Sequence, residues 1–202
     1  MTLEITEQFI PFDQWLEIVP RNDDSQQYRQ RRFYDYYRTK FEIALRAKPQ
    51  NICEIGVRWG YSAFSFLAAA PAALYIGYDI LAGTHGGIRQ TDTFAYAMDF
   101  LQEYFPQAQI VLIHEDTQQI QSLPGRFDLI HIDADHSEKA SRHDIKMAIE
   151  ACKPEGLILV DDYRYIAGVN RAVNFAVRDM KEVIDRFEIQ ESLRGEALIW
   201  KK

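Results

Sequence analysis

The amino-acid sequence predicts a doubly wound α/β sheet, and three observations support that fold class. From residue 51 onward, short runs rich in Ile, Leu and Val alternate with longer segments of helical apolar periodicity. Two of the apolar runs end abruptly in carboxylates, at Asp133 and at Asp161. The last two strand-like segments are joined by Arg194-Gly195, which is typical of a hairpin and breaks the alternation.

Strands and helices are predicted in a regular order. The strands are Asn51–Val57, Leu74–Ile80, Gln109–Glu115, Phe127–Ala134, Gly156–Asp161, Phe187–Leu193 and Glu196–Lys201. The helices are about Tyr61–Ala70, Thr93–Tyr104, Ser137–Cys152 and Ala167–Arg186. Continuous apolar strands indicate a parallel sheet that is covered on both faces. Only the C-terminal hairpin is expected to run antiparallel.

Residues 1–48 are expected to form a helical extension, and residues 49–202 the α/β domain. Tyr34, Tyr37 and Phe41 recur at helical spacing, which predicts an amphipathic helix packed on the domain. Asn22, Asp23, Asp24 and Ser25 offer N-caps ahead of it. The basic and aromatic run at 28–38 could instead bind an anionic substrate or RNA, or a second subunit in a homo-oligomer. The acidity of the whole chain favours the packed helix.

Composition limits the class of protein. The 202 residues are 47% hydrophobic, which suits one α/β domain with a short appendage. A net charge of −7 argues against a general nucleic-acid binder. No apolar run approaches the roughly 18–20 residues that span a membrane, and the N-terminus lacks a signal-peptide pattern. Cys53 and Cys152 have no metal-type spacing, so we expect reduced core thiols and a cytoplasmic location.

The turn after the first strand, Glu54-Ile-Gly56-Val-Arg-Trp-Gly60, predicts a ligand site. The glycines allow close backbone approach, and the helix that follows offers its N-terminal amides. The turn is not the dinucleotide fingerprint, because Glu54 replaces the first glycine. A carboxylate there suits a ligand that carries an ammonium or a sulfonium group. Asp79 and Asp116 follow the next two strands and are further candidates, although acids at strand ends also serve as caps.

Four carboxylates are predicted at the same edge of the sheet, where ligands of open α/β sheets gather: Asp133, Asp135, Asp161 and Asp162. Without partners they would repel one another, so a cation or a hydrogen-bonded ligand is expected there. In a continuing strand Asp161 and Asp162 would point to opposite faces. Both can therefore bind one ion only if the strand ends there.

Several of the nearby polar residues have plainer explanations. Asp135 is expected to cap the helix that starts near Ser137 rather than to bind an ion. His131 lies in the middle of a strand, which favours a hydrogen-bonded core histidine, and packing explains His143 and Asp144. The loop 81–92 either overhangs the pocket of a substrate at this edge of the sheet or is a flexible connector.

These motifs resemble class I S-adenosylmethionine-dependent methyltransferases over about residues 50 to 202. The Asp-x-x-His and Asp-Asp pattern is most similar to the metal-dependent O-methyltransferases that act on small molecules and sugars. The resemblance implies a Rossmann-like sheet of seven strands in the order 3-2-1-4-5-7-6, with strand 7 antiparallel. It also implies cofactor contacts from Glu54, Gly56, Gly60, Asp79, Asp116 and Asp133, divalent-metal ligands at Asp133, Asp161 and Asp162, and a general base at His136.

The predicted function is therefore transfer of a methyl group from S-adenosylmethionine to a hydroxyl of a small molecule. Magnesium is the expected ion, since it takes oxygen ligands. His136 would accept the hydroxyl proton near neutral pH. The alternatives are an NAD(P)-dependent oxidoreductase and a methyltransferase-like binding domain without turnover.

Overall fold

A computed structural model of the protein describes residues 8–19, 23–80 and 92–202. Within these ranges the strands are β1 (Asn51–Ile55), β2 (Leu74–Asp79), β3 (Gln109–His114), β4 (Phe127–Ile132), β5 (Cys152–Val160), β6 (Ile184–Gln190) and β7 (Glu196–Lys201). They form one sheet in the order β3-β2-β1-β4-β5-β7-β6. The first five strands pair in parallel, and β7 pairs antiparallel with both β5 and β6. The predicted order and the antiparallel last strand are confirmed.

Helices cover both faces of the sheet. They are α1 (Phe12–Ile18), α2 (Arg31–Ala47), α3 (Tyr61–Ala69), α4 (Asp92–Tyr104), α5 (Glu138–Ala151) and α6 (Ala167–Asp179), with short 3₁₀ helices at Asp23–Arg29 and Thr117–Gln119. The first four helices enclose an aromatic-rich core against one face. The other two enclose a second, mainly aliphatic core against the opposite face. Among the described residues no helix combines the length and apolarity needed to cross a bilayer.

Boundaries of α6, β5 and β6 are predicted wrongly, and β6 lies three residues earlier than the predicted Phe187–Leu193. The helix expected to reach Arg186 ends at Asp179, because the chain from Ile184 pairs with β7 and forms the edge strand β6. Sheet pairing therefore overrides local helical periodicity in this segment. The fifth strand starts at Cys152 rather than at Gly156, since Cys152 already pairs with Phe127 before a register shift. The buried, unpaired thiols expected at Cys53 and Cys152 are confirmed.

The N-terminal segment packs onto the sheet as an aromatic layer. Trp15 is fully buried, and its ring lies 5.1 Å from that of Tyr37 and 5.6 Å from that of Tyr61 on α3. The Trp15 indole donates a 2.8 Å hydrogen bond to the carbonyl of Tyr28. The amphipathic helix predicted from Tyr34, Tyr37 and Phe41 is therefore confirmed as α2, with all three side chains buried. The capping side chains proposed at Asn22–Ser25 lie outside the described part.

The strand register puts four polar side chains on the sheet face beneath α2. Glu54 on β1 pairs with His131 on β4; Asp161 comes directly after β5, the next strand across, and Glu196 begins β7. Their alternate neighbours Ile52, Leu129, Leu159 and Leu198 belong to the aromatic-rich core, so all eight residues share one face. All four polar residues are at most 1% exposed. The loop at 81–92 lies outside the described residues, apart from the start of α4 at Asp92.

Candidate active site

The turn between β1 and α3 requires glycine at its first position. Gly56 has φ +94°, and a Cβ atom there would lie 2.0 Å from the carbonyl oxygen of Asp133. Only a glycine allows β1 and the end of β4 to approach this closely. Gly60, also at positive φ, is the N-cap of α3 and packs against Ala97 of α4. The turn thus leaves backbone amides at the helix start facing the edge of the sheet.

A cavity of about 420 Å³ opens at the carboxyl ends of the parallel strands. Its wall includes six of the predicted site residues: Gly56, Asp79, Asp116, Asp133, His136 and Asp162. These residues follow β1, β2, β3, β4 and β5, so the cavity spans the point between β1 and β4 where the strand order reverses. Gly60, Glu54 and Asp161 are absent from that wall, although each is adjacent in sequence to a residue that lines it.

The Glu54 carboxylate faces away from the cavity, toward the core beneath α2. One oxygen lies 2.8 Å from Nδ1 of His131, and the other accepts a hydrogen bond from the hydroxyl of Tyr75. Because Glu54 accepts, Nδ1 of His131 carries the proton of that contact. Glu54 therefore lies behind the turn between β1 and α3, and His131 is confirmed as a hydrogen-bonded core histidine.

Asp79 and Asp116 organise backbone turns on the cavity wall. Asp79 Oδ2 accepts a 2.7 Å hydrogen bond from the backbone N–H of Arg58, inside the glycine turn. Asp116 Oδ1 accepts from the N–H of Gln118 and so caps the short helix at Thr117–Gln119. Both side chains remain half-buried, which is compatible with ligand contact in addition to these structural roles.

His136 lies between two of the predicted carboxylates. Its Nε2 atom is 3.2 Å from Asp133 Oδ1 and 3.2 Å from Asp162 Oδ2. The hydrogen bond with Asp133 raises the pKa of His136 above its ordinary value, against the opposing effect of burial. On its other side Asp162 contacts Arg194, whose Nη1 lies 3.2 Å from each carboxylate oxygen. Burial, followed by the charges of Asp133 and Asp161, raises the pKa of Asp162 to about 6.

Asp161 and Asp162 point in different directions, although β5 ends at Val160. Asp162 adopts φ +57°, a left-handed conformation that turns its side chain toward the cavity. Asp161 instead accepts hydrogen bonds from Lys40 Nζ at 3.0 Å and from the hydroxyl of Tyr36, both on α2. The Asp161 side chain is fully enclosed. The strand thus ends where binding of one ion by both acids would need it to end. Asp162 nevertheless faces the cavity, whereas Asp161 faces α2.

Two groups of described side chains lie close enough together to hold a divalent cation. One ligand atom from each of Asp133, His136 and Asp162 lies within 4.8 Å of the others, which suits a single ion. A second group of the same size is formed by His131, Asp133 and Asp161. The described residues do not bring Asp133, Asp161 and Asp162 together as one such group. The ion and its ligands stay a prediction, with Asp133 common to both groups.

Residues from outside the predicted set complete the wall. The N-terminal segment contributes Tyr28, Phe33, Tyr36 and Tyr37, and the loop before β7 contributes Arg194. Arg58 also lines the cavity, and its guanidinium donates 2.7 Å to the hydroxyl of Tyr28. The basic and aromatic run at 28–38 was the one sequence signal for this wall. Lys40 had a weaker signal, since it is a lysine at a buried helical position.

The plainer explanations of the other polar residues agree with the structure. Asp135 Oδ1 accepts from the N–H of Ser137, and Ser137 is the N-cap of α5. His143 Nε2 lies 3.0 Å from the carbonyl oxygen of Thr117, a hydrogen bond that ties α5 to the short helix at Thr117–Gln119. Asp144 is completely buried and accepts a 2.9 Å hydrogen bond from the hydroxyl of Thr117.

Residues 53–163 match a protein family described as a methyltransferase domain. No curated protein matches the chain. An SAH-bound methyltransferase of Podospora anserina, PaMTH1, aligns with a TM-score of 0.70 at 18% identity, over 98% of this chain and 90% of that chain.

Two further solved structures are similar. An O-methyltransferase of Bacillus cereus in complex with SAH gives a TM-score of 0.63 at 15% identity, over 95% of this chain and 90% of that one. The N-methyltransferase NodS of Bradyrhizobium japonicum, in complex with S-adenosylhomocysteine (SAH), gives 0.62 at 15% identity, over 95% and 98%. At these identities the likeness is one of fold.

Proposed function

The chain belongs to the methyltransferase-domain family, and we propose that it transfers a methyl group from S-adenosylmethionine to a hydroxyl of a small molecule. One observation carries the proposal. A single cavity joins the glycine turn at Gly56 and the acids Asp79 and Asp116 to a carboxylate–histidine cluster at Asp133, His136 and Asp162. A cofactor and an acceptor can therefore lie side by side across the reversal in strand order.

The cofactor end fits a nucleoside with a charged tail. Asp79 follows β2, where a carboxylate can accept hydrogen bonds from ribose hydroxyls. Asp116 follows β3 and is the candidate for the adenine. Asp133 lies against Gly56, next to the place where the amino and sulfonium groups of the cofactor would meet the acceptor. Glu54 supports this end from behind, through His131 and Tyr75, rather than by touching the cofactor.

The acceptor end supplies the proton chemistry. During transfer the acceptor oxygen forms a bond to the methyl carbon, the carbon–sulfur bond breaks, and the hydroxyl proton leaves. His136 is the proposed recipient of that proton, held in place by Asp133 and Asp162. A divalent cation held by Asp133 and Asp162 would lower the pKa of the acceptor hydroxyl. The aromatic side chains of Tyr36 and Tyr37 close the wall on the α2 side.

In this proposal residues 49–202 are the methyltransferase domain, and residues 1–48 are a helical extension that forms part of the acceptor wall. An NAD(P)-dependent oxidoreductase is not favoured, because Glu54 occupies the position of the first glycine of the dinucleotide fingerprint. A binding domain without turnover is not favoured either, since the cluster around His136 keeps the groups that proton transfer needs.

The test combines cofactor binding with a histidine substitution. Calorimetric titration with SAH should give a measurable affinity, whereas titration with NADH should give none. Radiolabelled S-adenosylmethionine is then offered with a panel of phenols, sugars and amines. His136→Ala should lower kcat by about 10²- to 10⁴-fold, the usual contribution of a general base, with unchanged SAH affinity. His143→Ala is the matched control, since His143 lies on α5, which follows His136, and is not part of the cavity wall.

The outcomes separate the parts of the proposal. No binding of either S-adenosylmethionine or SAH would remove the methyltransferase assignment. Methylation of amines alone would replace the hydroxyl acceptor by a nitrogen acceptor. An unchanged kcat in His136→Ala would take the base role away from His136.

A further inference from the structure

The carboxylate of Asp161 is fully engaged by groups within the protein. Oδ2 accepts from Lys40 Nζ at 3.0 Å and from the Tyr36 hydroxyl, and it lies 3.7 Å from His131 Nε2. Oδ1 accepts a 2.9 Å hydrogen bond from the backbone N–H of Asp162. Both oxygens of a predicted metal ligand are thus bonded to donors, and the side chain has no exposed surface.

Lys40 is enclosed to the same degree. Its side chain is 0% exposed, and Nζ lies 3.0 Å from His131 Nε2, 3.0 Å from Asp161 Oδ2 and 3.8 Å from Glu196 Oε1. Two of the three ammonium donors are thus within hydrogen-bonding distance of an acceptor, and Glu196 is an ion-pair partner at a longer distance. Lysine is almost never fully buried unless it is paired. Lys40 therefore provides the positive charge that pairs with the carboxylates beneath α2, chiefly that of Asp161.

An ammonium and a divalent cation are incompatible at this carboxylate. A magnesium ion binds carboxylate oxygen at about 2.0–2.1 Å. An ion on Asp161 Oδ2 would therefore lie within a few Å of the Lys40 charge, in an enclosed place where like charges repel strongly. The second candidate group for a cation has the same difficulty, because His131 Nε2 already faces Lys40.

We infer that Lys40 is a built-in counter-cation that withdraws Asp161 from ion binding and commits it to positioning Tyr36 on the acceptor wall. Lys40 is in this sense a positioning residue, since it acts through Asp161. The inference rests on the proposed function for the meaning of the acceptor wall. It leaves Asp133 and Asp162 as the carboxylates to which an ion can bind beside His136, and it removes Asp161 from the ligands that the resemblance implied.

The test measures Mn²⁺ binding by calorimetry and by electron paramagnetic resonance, without any acceptor. Lys40→Met should bind Mn²⁺ at least about tenfold more tightly than the wild type, because a neighbouring opposite charge changes the proton affinity of a carboxylate by at least that factor. The gain should disappear in Lys40→Met/Asp161→Asn. Lys139→Met, which removes an exposed lysine of α5, is the matched control and should change the affinity by less than about threefold.

A second pair of variants applies if Lys40→Met does not fold. Asp162→Asn removes a charged oxygen ligand and should weaken Mn²⁺ binding at least about tenfold more than Asp161→Asn does. Equal losses in the two variants overturn the inference. It is also overturned if Lys40→Met binds Mn²⁺ no better than the wild type, including the case in which neither protein binds the ion. SAH titration of each variant is independent of these results, so failure of the proposed function is recognised separately.

Discussion

Asp161 and Asp144 are both enclosed carboxylates close to one cavity, yet their pKa values move in opposite directions. Burial acts to raise the pKa of Asp161, but Lys40, followed by His131, holds it well below its ordinary value. Burial raises the pKa of Asp144 to about 6, because its partners are the neutral groups of Thr117 and Gln118. Asp144 Oδ2 makes no hydrogen bond with any described residue.

The difference shows what a cation adds to a buried carboxylate. Neutral donors satisfy hydrogen bonds, but they do not offset the desolvation of a full negative charge. The Asp161 carboxylate therefore stays ionised across the physiological range. Asp144 instead changes its charge near pH 6. The ion pair of Asp161 with Lys40 is accordingly kept over this range, whereas the charge of Asp144, where α5 meets the Thr117–Gln119 helix, changes with pH.

The largest expected effect comes from removing the cation of the first region. Lys40→Met leaves Asp161 and Glu196 buried without a counter-charge, which should lower the free energy of unfolding by about 3–5 kcal/mol. Urea denaturation measures this change. Lys139→Met, which removes an exposed lysine, should stay within about 0.5 kcal/mol. A loss of under 1 kcal/mol in Lys40→Met would mean that Asp161 does not depend on Lys40.

A pH-dependent effect is expected from the second region. The folded protein holds the Asp144 proton up to about pH 6, whereas the unfolded chain releases it near pH 4. The stabilisation from that proton is therefore complete below about pH 4 and is lost as the pH rises to about 6. The loss amounts to about 3 kcal/mol.

Denaturant unfolding of the wild type and of Asp144→Asn between pH 4 and pH 7 isolates the contribution of this group. The unfolding free energy of the wild type minus that of Asp144→Asn should decrease as the pH rises from 4 to 7. A constant difference would show that folding leaves the pKa of Asp144 unchanged.

The smallest effects compare single hydroxyl donors in the two regions. Tyr36→Phe removes a donor to the charged Asp161 and should destabilise the protein by about 2 kcal/mol. Thr117→Val removes a donor to Asp144 and should cost about 1 kcal/mol near pH 5, where Asp144 is mostly neutral. Thr117→Val should also raise the pKa of Asp144, because that hydrogen bond lowers it. Urea denaturation at pH 5 checks the order, and a larger loss in Thr117→Val would contradict the comparison.

Much of the fold could be predicted because its signals are local. Apolar runs that end in Asp79, Asp133 and Asp161 mark strands, and helical periodicity separates them. The hairpin at Gly195 gave the antiparallel last strand. The errors fell at the end of α6, at the start of β5 and at both ends of β6, where pairing with another strand decides the conformation.

The candidate site was predicted in part. Asp133, His136 and Asp162 meet because two adjacent parallel strands end together, which the sequence order of the strands implies. The pairing of the acids after β5 with Lys40, Tyr36 and Arg194 could not be foreseen, since the partners come from α2 and from the loop before β7. Such contacts bring together residues more than 30 positions apart, and no local pattern marks them.

The sequence by itself determined the alternation of strands and helices, the glycine turn at Gly56 and the placement of the acids at one edge of the sheet. These features depend on the spacing of apolar residues and on the conformational freedom of glycine, both of which are local. Only the tertiary structure decided which acids face the cavity and which face α2. That choice depends on where β5 stops pairing and on which distant cation lies within hydrogen-bonding distance of Asp161.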